Sequence, residues 1–136
     1  MFTVWIQKVQ LINRFPLFHL MGITKTTITI LGRSKNARVE LIVDTGSILT
    51  WVSSDRLKEI GSKPKREKAF RTIEGRVLRR KTGPATIRYD GTEADVEVVF
   101  GEDKDAEVLG VTALESLGYE VDPITTQLRR SSLLAL

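Results

Sequence analysis

The chain has 136 residues and a formal net charge of +4, with 41% hydrophobic and 28% charged residues. That balance suits one globular domain with a sizeable core, and it excludes a second full domain or a disordered chain. With no cysteine and a single histidine, His19, disulfides, thiolate chemistry and multi-histidine or cysteine metal sites are excluded, and a Ser-His-Asp triad is disfavoured. Carboxylate, hydroxyl and amine chemistry remain.

Residues 1–20 are apolar but interrupted by Gln7, Lys8, Gln10, Asn13 and Arg14. They lack an unbroken signal-peptide core and a small-residue cleavage site, and no run of about 18 apolar residues occurs. No membrane span is expected, and the expected location is cytoplasmic. Phe2, Trp5, Ile6, Val9 and Ile12 recur at helical spacing, which predicts a short amphipathic helix. The alternative is that the natural start is Met21 and residues 1–20 are an extension, disordered or not native. The patterned chain begins just after Met21, which favours the second reading. His19 lies in this stretch and is read as incidental.

From Thr24 onward, short runs rich in β-branched residues alternate with turn signals, which predicts a mostly β fold. Thr24–Leu31 reads as a strand closing at Gly32. Arg38–Val43 alternates, with Val39, Leu41 and Val43 on one side, and runs into Asp44-Thr45-Gly46-Ser47. Ile48–Val52 resumes as an apolar strand. Ser53-Ser54-Asp55 starts a brief helix over Arg56–Ile60 that Gly61 ends. Ala69–Arg80 reads as a hairpin with Glu74-Gly75 at its tip. Gly83-Pro84 is expected to break the chain. Ala85–Tyr89 and Thr92–Phe100 then form a second hairpin about Asp90-Gly91. Thr112 and Glu115 have capping-box spacing ahead of a helix with Leu114 and Leu117 on its apolar face, ended by Gly118. Pro123 is expected to open a last strand, Ile124–Leu128. A domain over residues 21–130 with a loose tail at 131–136 follows. Its length and strand number predict a small closed or partly open β-barrel.

One segment carries chemistry. Leu41-Ile42-Val43 delivers Asp44 into a Thr-Gly turn, and Ile48–Val52 leaves it. A carboxylate at the end of a buried strand is costly unless it is hydrogen-bonded or protonated. Gly46 lets the backbone turn sharply and bring its amide towards that carboxylate. Thr45 and Ser47 add hydroxyls. An Asp-x-Gly turn alone is common, and two apolar flanking strands make this one more specific.

The pattern resembles the retropepsin-like aspartic proteases over about Thr24–Leu128. The family's hydrophobic-hydrophobic-Asp-Thr-Gly-Ser loop matches Ile42-Val43-Asp44-Thr45-Gly46-Ser47. Its hydrophobic-hydrophobic-Gly triplet before a C-terminal helix matches Val108-Leu109-Gly110. The hairpin about Thr72-Ile73-Glu74-Gly75 sits where the family places its flap. Leu117-Gly118 and Val121-Asp122-Pro123 make the chain similar to the short single-domain prokaryotic branch. The resemblance implies a small closed barrel of the acid-protease type, with a flap hairpin and one short C-terminal helix. It implies Asp44, Thr45 and Gly46 as catalytic residues. It implies Ser47, Thr72, Ile73, Glu74, Gly75, Val108, Leu109 and Gly110 as substrate-binding residues, with no metal or organic cofactor. The Thr45 hydroxyls would reach across a two-fold axis to lock two loops together. One departure stands: retroviral members carry an Asp two residues after the loop glycine and a later Arg-Asp pair. Here Ile48 and Val111-Thr112 take those places, so that salt bridge is absent.

Aspartic protease chemistry needs two carboxylates sharing a proton, one acting as base towards water and the other donating to the carbonyl oxygen. This chain has one Asp-Thr-Gly. A working site therefore requires a homodimer with Asp44 from each copy on the axis, acting on a peptide or unfolded protein. The alternative function is a catalytically weak module of the same fold that holds peptides.

Lys63–Lys81 carries nine bases against two acids. It is either a solvated face or a surface for nucleic acid or an acidic partner. Phe70 is its only aromatic residue, which argues against a base-stacking platform. Arg71 and Arg76 flank the hairpin tip and could attract acidic substrate positions. Asp103 and Asp105 lack the ligand spacing of a calcium loop. Trp5 and Trp51 read as packing residues.

Overall fold

A computed structural model describes residues 24–132 in full and residues 4–7 by their backbone. In chain order the strands are β1 (Val4–Gln7), β2 (Lys25–Leu31), β3 (Asn36–Val43) and β4 (Thr50–Ser53). They continue as β5 (Arg66–Thr72), β6 (Val77–Tyr89), β7 (Thr92–Gly101), β8 (Val108–Leu109), β9 (Tyr119–Val121) and β10 (Leu128–Arg130). Two short helices are described, α1 (Ser54–Glu59) and α2 (Val111–Leu117). The fold is mostly β, as the alternating pattern predicted.

The main sheet has the order β1-β5-β6-β2-β3-β8-β4-β7, and β6 also pairs with β7. Strand β6 makes this possible through its length of 13 residues. It pairs with β5 through Val77–Thr82, with β2 through Thr86–Arg88 and with β7 through Lys81–Tyr89. The expected break at Gly83-Pro84 is not there, because β6 runs straight through it. The two residues sit where β6 changes partner, after β5 has ended and before β2 begins. There the missing amide of Pro84 need not cost a rung, since a strand tolerates proline where an edge is unpaired. Gly83 is required by a close crossing: a Cβ on it would lie 2.6 Å from the Lys63 carbonyl oxygen.

The β6–β7 turn is as expected. Asp90 (φ 49°) and Gly91 (φ 79°) both take the left-handed conformation that a two-residue hairpin of this twist demands. Three other expectations fail. Val4–Gln7 is a strand, parallel to Ala69–Thr72 of β5, and not part of a helix; the remainder of the expected amphipathic stretch, with His19, lies outside the described residues. Strand β4 starts at Thr50, because Ile48 and Leu49 are drawn into the preceding bend. The strand expected at Ile124–Leu128 is a turn, with Ile124 90% exposed. The Asp122 carboxylate accepts from the Ile124 and Thr125 amides and holds that turn. The antiparallel pair β9–β10 flanks it.

Two apolar clusters form the core. The larger unites Ile28 and Ile30 of β2, Val39 and Leu41 of β3, Ile87, Val98 and Leu109 with Leu114 and Leu117 of α2. The smaller holds Leu49, Trp51, Phe70, Leu78, Val99 and Val108, with Ile42 and Ile48 packed against it. Adjacent strand residues point to opposite faces, so β8 gives Val108 to one cluster and Leu109 to the other. Two residues thereby join both cores.

Candidate active site

Strand β3 ends at Val43, and Asp44 follows half-buried. Its amide donates to the Leu109 carbonyl at 3.0 Å, one step beyond the parallel pairs Ile42–Val108 and Val43–Leu109. The Asp44 side chain turns back on its own loop, where Oδ1 accepts from the Gly46 amide at 2.9 Å. The Ser47 amide donates to the Asp44 carbonyl at 3.1 Å and closes the turn. Thr45, at its apex, is exposed.

The loop stands on a polar scaffold buried in an apolar floor. Ser47 is fully buried, and its hydroxyl donates to the Leu49 carbonyl at 2.7 Å. Thr50 is fully buried and accepts the Gly110 amide on its hydroxyl at 3.0 Å. The first two amides of α2, Val111 and Thr112, donate to the Ser47 and Ile48 carbonyls at 2.8 and 3.2 Å. The Thr112 hydroxyl donates to the Ile48 carbonyl at 2.6 Å. Buried polar groups are tolerated only when paired in this way. The expected capping box is thus replaced: Gly110, not Thr112, precedes the helix, and the Asp44 loop itself satisfies the helix's first amides.

The β5–β6 hairpin rests on the same floor. Near its tip, Phe70 packs on Trp51 with ring centroids 5.0 Å apart, and Leu78 joins them. Thr72 pins the turn, because its amide and Oγ1 both engage Arg76, at 2.8 and 3.1 Å. Gly75 (φ 88°) lets the chain reverse. Ile73 and Val77 are each 50% exposed.

A family model for aspartyl proteases matches residues 26–127. The chain belongs to the aspartyl protease family. Among solved structures, it is similar to the protease of Simian Foamy Virus (mac), with a TM-score of 0.49 and 17% identity. That likeness covers 68% of this chain and 92% of the viral one. No curated protein matches the sequence significantly.

Within this member of the family the residues expected to act together fall into three groups. Asp44, Thr45 and Gly46 form one turn. Thr72, Ile73, Glu74 and Gly75 form the hairpin tip, where Thr72 is buried and the others are exposed. Ser47, Val108 and Leu109, expected to bind substrate, have no exposed surface. Their side chains lie beneath the loop, Val108 and Leu109 in the two core clusters and Ser47 on the Leu49 carbonyl. Gly110 is buried with them. Thr50 and Thr112 were missed as supports of the site. A threonine inside an otherwise apolar run, Ile48–Val52, is the signal that marks the first. Spacing alone assigned the second to the wrong partner. Among the described residues, no group of acidic or histidine side chains is placed to hold a metal ion. None of the described helices is long and apolar enough to cross a membrane.

Proposed function

We propose that the chain is an aspartic endopeptidase that works as a homodimer of small closed barrels spanning about residues 21–130. Asp44 of each copy supplies half of a dyad. One carboxylate takes a proton from water as the water attacks the peptide carbonyl, and the other, protonated, donates to the carbonyl oxygen. Two carboxylates about 3 Å apart cannot both ionise, so the pair shares one proton and titrates as a unit. Thr45, exposed at the apex, is free to meet its counterpart across the axis. The hairpin tip from Ile73 to Gly75 closes over the peptide and excludes water, with the half-exposed Ile73 and Val77 adding apolar surface to it.

The observation that carries this reading is the mounting of Asp44. A single Asp-Thr-Gly turn is fixed through β8 and α2 and presents one carboxylate. One chain therefore holds half the required chemistry. The test is digestion of an unfolded protein across about pH 3 to 7 by wild type and Asp44→Asn, with sedimentation run alongside. Cleavage by the wild type alone, from a dimeric species, is expected. Failure of both to cleave, with peptide still bound, would leave the peptide-holding module.

A further inference from the structure

The cations of the basic segment fall into two sets. Lys68, Arg79 and Arg80 are in ion pairs with Glu97, Glu67 and Asp105. Lys63 and Lys65 make no ion pair among the described residues, and neither does Arg33, which faces them across a cleft of about 410 Å³. All three cations are exposed. The proposed chemistry uses none of them.

The cleft is a consequence of the fold. Strand β6 loses β5 after Thr82 and gains β2 at Thr86. Gly83–Ala85 therefore has no strand beside it on that side, and Pro84 and Ala85 form part of the floor. One wall is the Lys63–Lys65 segment, tied down by the Lys65 amide donating to the Thr82 carbonyl at 2.8 Å. The other is the Gly32-Arg33-Ser34 turn, tied to the end of α1 by the Ser34 amide donating to the Ile60 carbonyl at 3.1 Å. A Cβ at Gly32 would fall 2.1 Å from that same carbonyl oxygen, so this crossing admits only glycine. Both walls are tied down through their backbone. Past Lys65 the depression continues towards Arg66, Val96 and Glu97. The one acid in the first part, Asp95, is engaged by the Thr86 hydroxyl at 2.7 Å.

We propose that this groove binds an extended acidic peptide segment. Three cations against one acid give it a positive field that salt bridges inside the chain do not quench. Its volume suits several residues better than one small oxyanion. Gly83 and Ala85 pair with Val98 and Val96 of β7 and Pro84 has no N–H, so charge rather than strand pairing holds the segment. No aromatic side chain lines it, so it lacks the stacking surface that single-stranded nucleic acid uses. The groove is remote from Asp44. It opens at the Gly32 end of the β2–β3 hairpin, whereas Asp44 follows the other end of β3, eight residues or roughly 25 Å away. A segment held here leaves the proposed catalytic loop clear, and the inference does not depend on peptide hydrolysis.

The test is fluorescence anisotropy on Asp44→Asn protein, so that no probe is cut. The probes are a labelled glutamate-rich decapeptide, its glutamine counterpart and a labelled oligothymidylate. The glutamate peptide is expected to bind at low salt and to weaken as salt rises, and the glutamine peptide to bind at least about tenfold more weakly. Lys63→Glu/Lys65→Glu should weaken binding of the acidic peptide by about tenfold or more, and Lys63→Arg/Lys65→Arg should retain it. Arg71→Glu/Arg76→Glu, on the hairpin tip, should leave it within about twofold. Unchanged circular dichroism and melting temperature in each variant separate lost binding from lost fold. The proposal is overturned by no binding of the acidic peptide, by equal binding in the Lys63→Glu/Lys65→Glu variant, by loss in the hairpin-tip variant instead, or by tighter binding of the oligothymidylate.

Discussion

Gly110 passes directly under Leu49: a Cβ on Gly110 would stand 2.4 Å from the Leu49 carbonyl oxygen and 2.8 Å from that of Ser47. Both carbonyls belong to the loop that presents Asp44, and both are fixed by hydrogen bonds from Ser47 and Val111. Neither can retreat without breaking a buried contact. Gly110→Ala is therefore expected to destabilise the protein by about 3 kcal/mol, at the upper end for overpacking. It should also abolish proteolysis at temperatures where the variant remains folded, because the displaced backbone is that of the Asp44 loop. Urea unfolding and a peptide-cleavage assay on the same preparation would check this. Wild-type activity in a folded Gly110→Ala protein would sink it.

Much of this arrangement is legible in the residues. Asp44-Thr45-Gly46 between apolar strands marks the loop, Val108-Leu109-Gly110 marks the strand that crosses it, and Asp90-Gly91 marks a two-residue hairpin. What is not legible depends on partners far away in sequence. Thr112 has the spacing of a helix cap, but Ile48 competes for its hydroxyl, and that partner is 64 residues away. Gly83-Pro84 has the local chemistry of a break, yet it occupies the one place where β6 is between partners. Val108 and Leu109 were expected to meet substrate because the family resemblance implies it. Alternation places the side chain of each in a different core cluster.

At the foot of the hairpin, Glu97 takes a hydrogen bond from Lys68 Nζ at 2.8 Å and another from the Thr82 hydroxyl at 2.6 Å. Burial pushes its carboxyl up, but those two bonds and the charges of Lys68 and Arg66 outweigh it and hold the group below the usual carboxylate range. A carboxylate with a depressed folded pKa contributes stability above its unfolded value, about pH 4.3, and loses it as pH falls through the folded value. Wild type should therefore lose this contribution below about pH 4.3. Glu97→Gln should be the less stable protein near neutrality, with the gap between the two closing as pH falls through that window. Thermal melts at intervals from about pH 7 to 3 read it directly. A gap that stays constant with pH would contradict the assignment.

Arg80 of β6 and Asp105 form a two-pronged ion pair at 2.7 and 3.0 Å, with their side chains only 12% and 3% exposed. The pair ties the stem of the hairpin to the turn after β7, and Asp105 also caps the Glu102 amide at 2.8 Å. Its hydrogen bond to Asp105 raises the Arg80 pKa, so the guanidinium stays charged throughout. Asp105→Ala would leave that charge buried with the exposed Glu102 as its one acid and the Arg79 carbonyl as its other partner, at a cost of about 3 kcal/mol. Adding Arg80→Met to Asp105→Ala removes the stranded charge and should recover at least half of the loss. Chemical denaturation of the single and double variants tests this as a cycle. A double variant no more stable than Asp105→Ala alone would show that the cost lies in the turn, not in the charge.

Subunit mixing discriminates a shared dyad from two independent sites. Asn at position 44 keeps an oxygen for the Gly46 amide to reach, so Asp44→Asn should fold and associate like wild type. If each active site needs both carboxylates, random co-assembly of equal amounts leaves about a quarter of the dimers competent. Activity at fixed total protein should then fall to about a quarter of the wild-type value, whereas independent sites would give about half. Diluting wild type through its dimer dissociation should lower specific activity in step with the dimer fraction measured by sedimentation. Half-maximal activity in the mixture, or specific activity indifferent to dilution through that transition, would mean that one chain carries the complete machinery. Asp44 would then need a second carboxylate from its own chain.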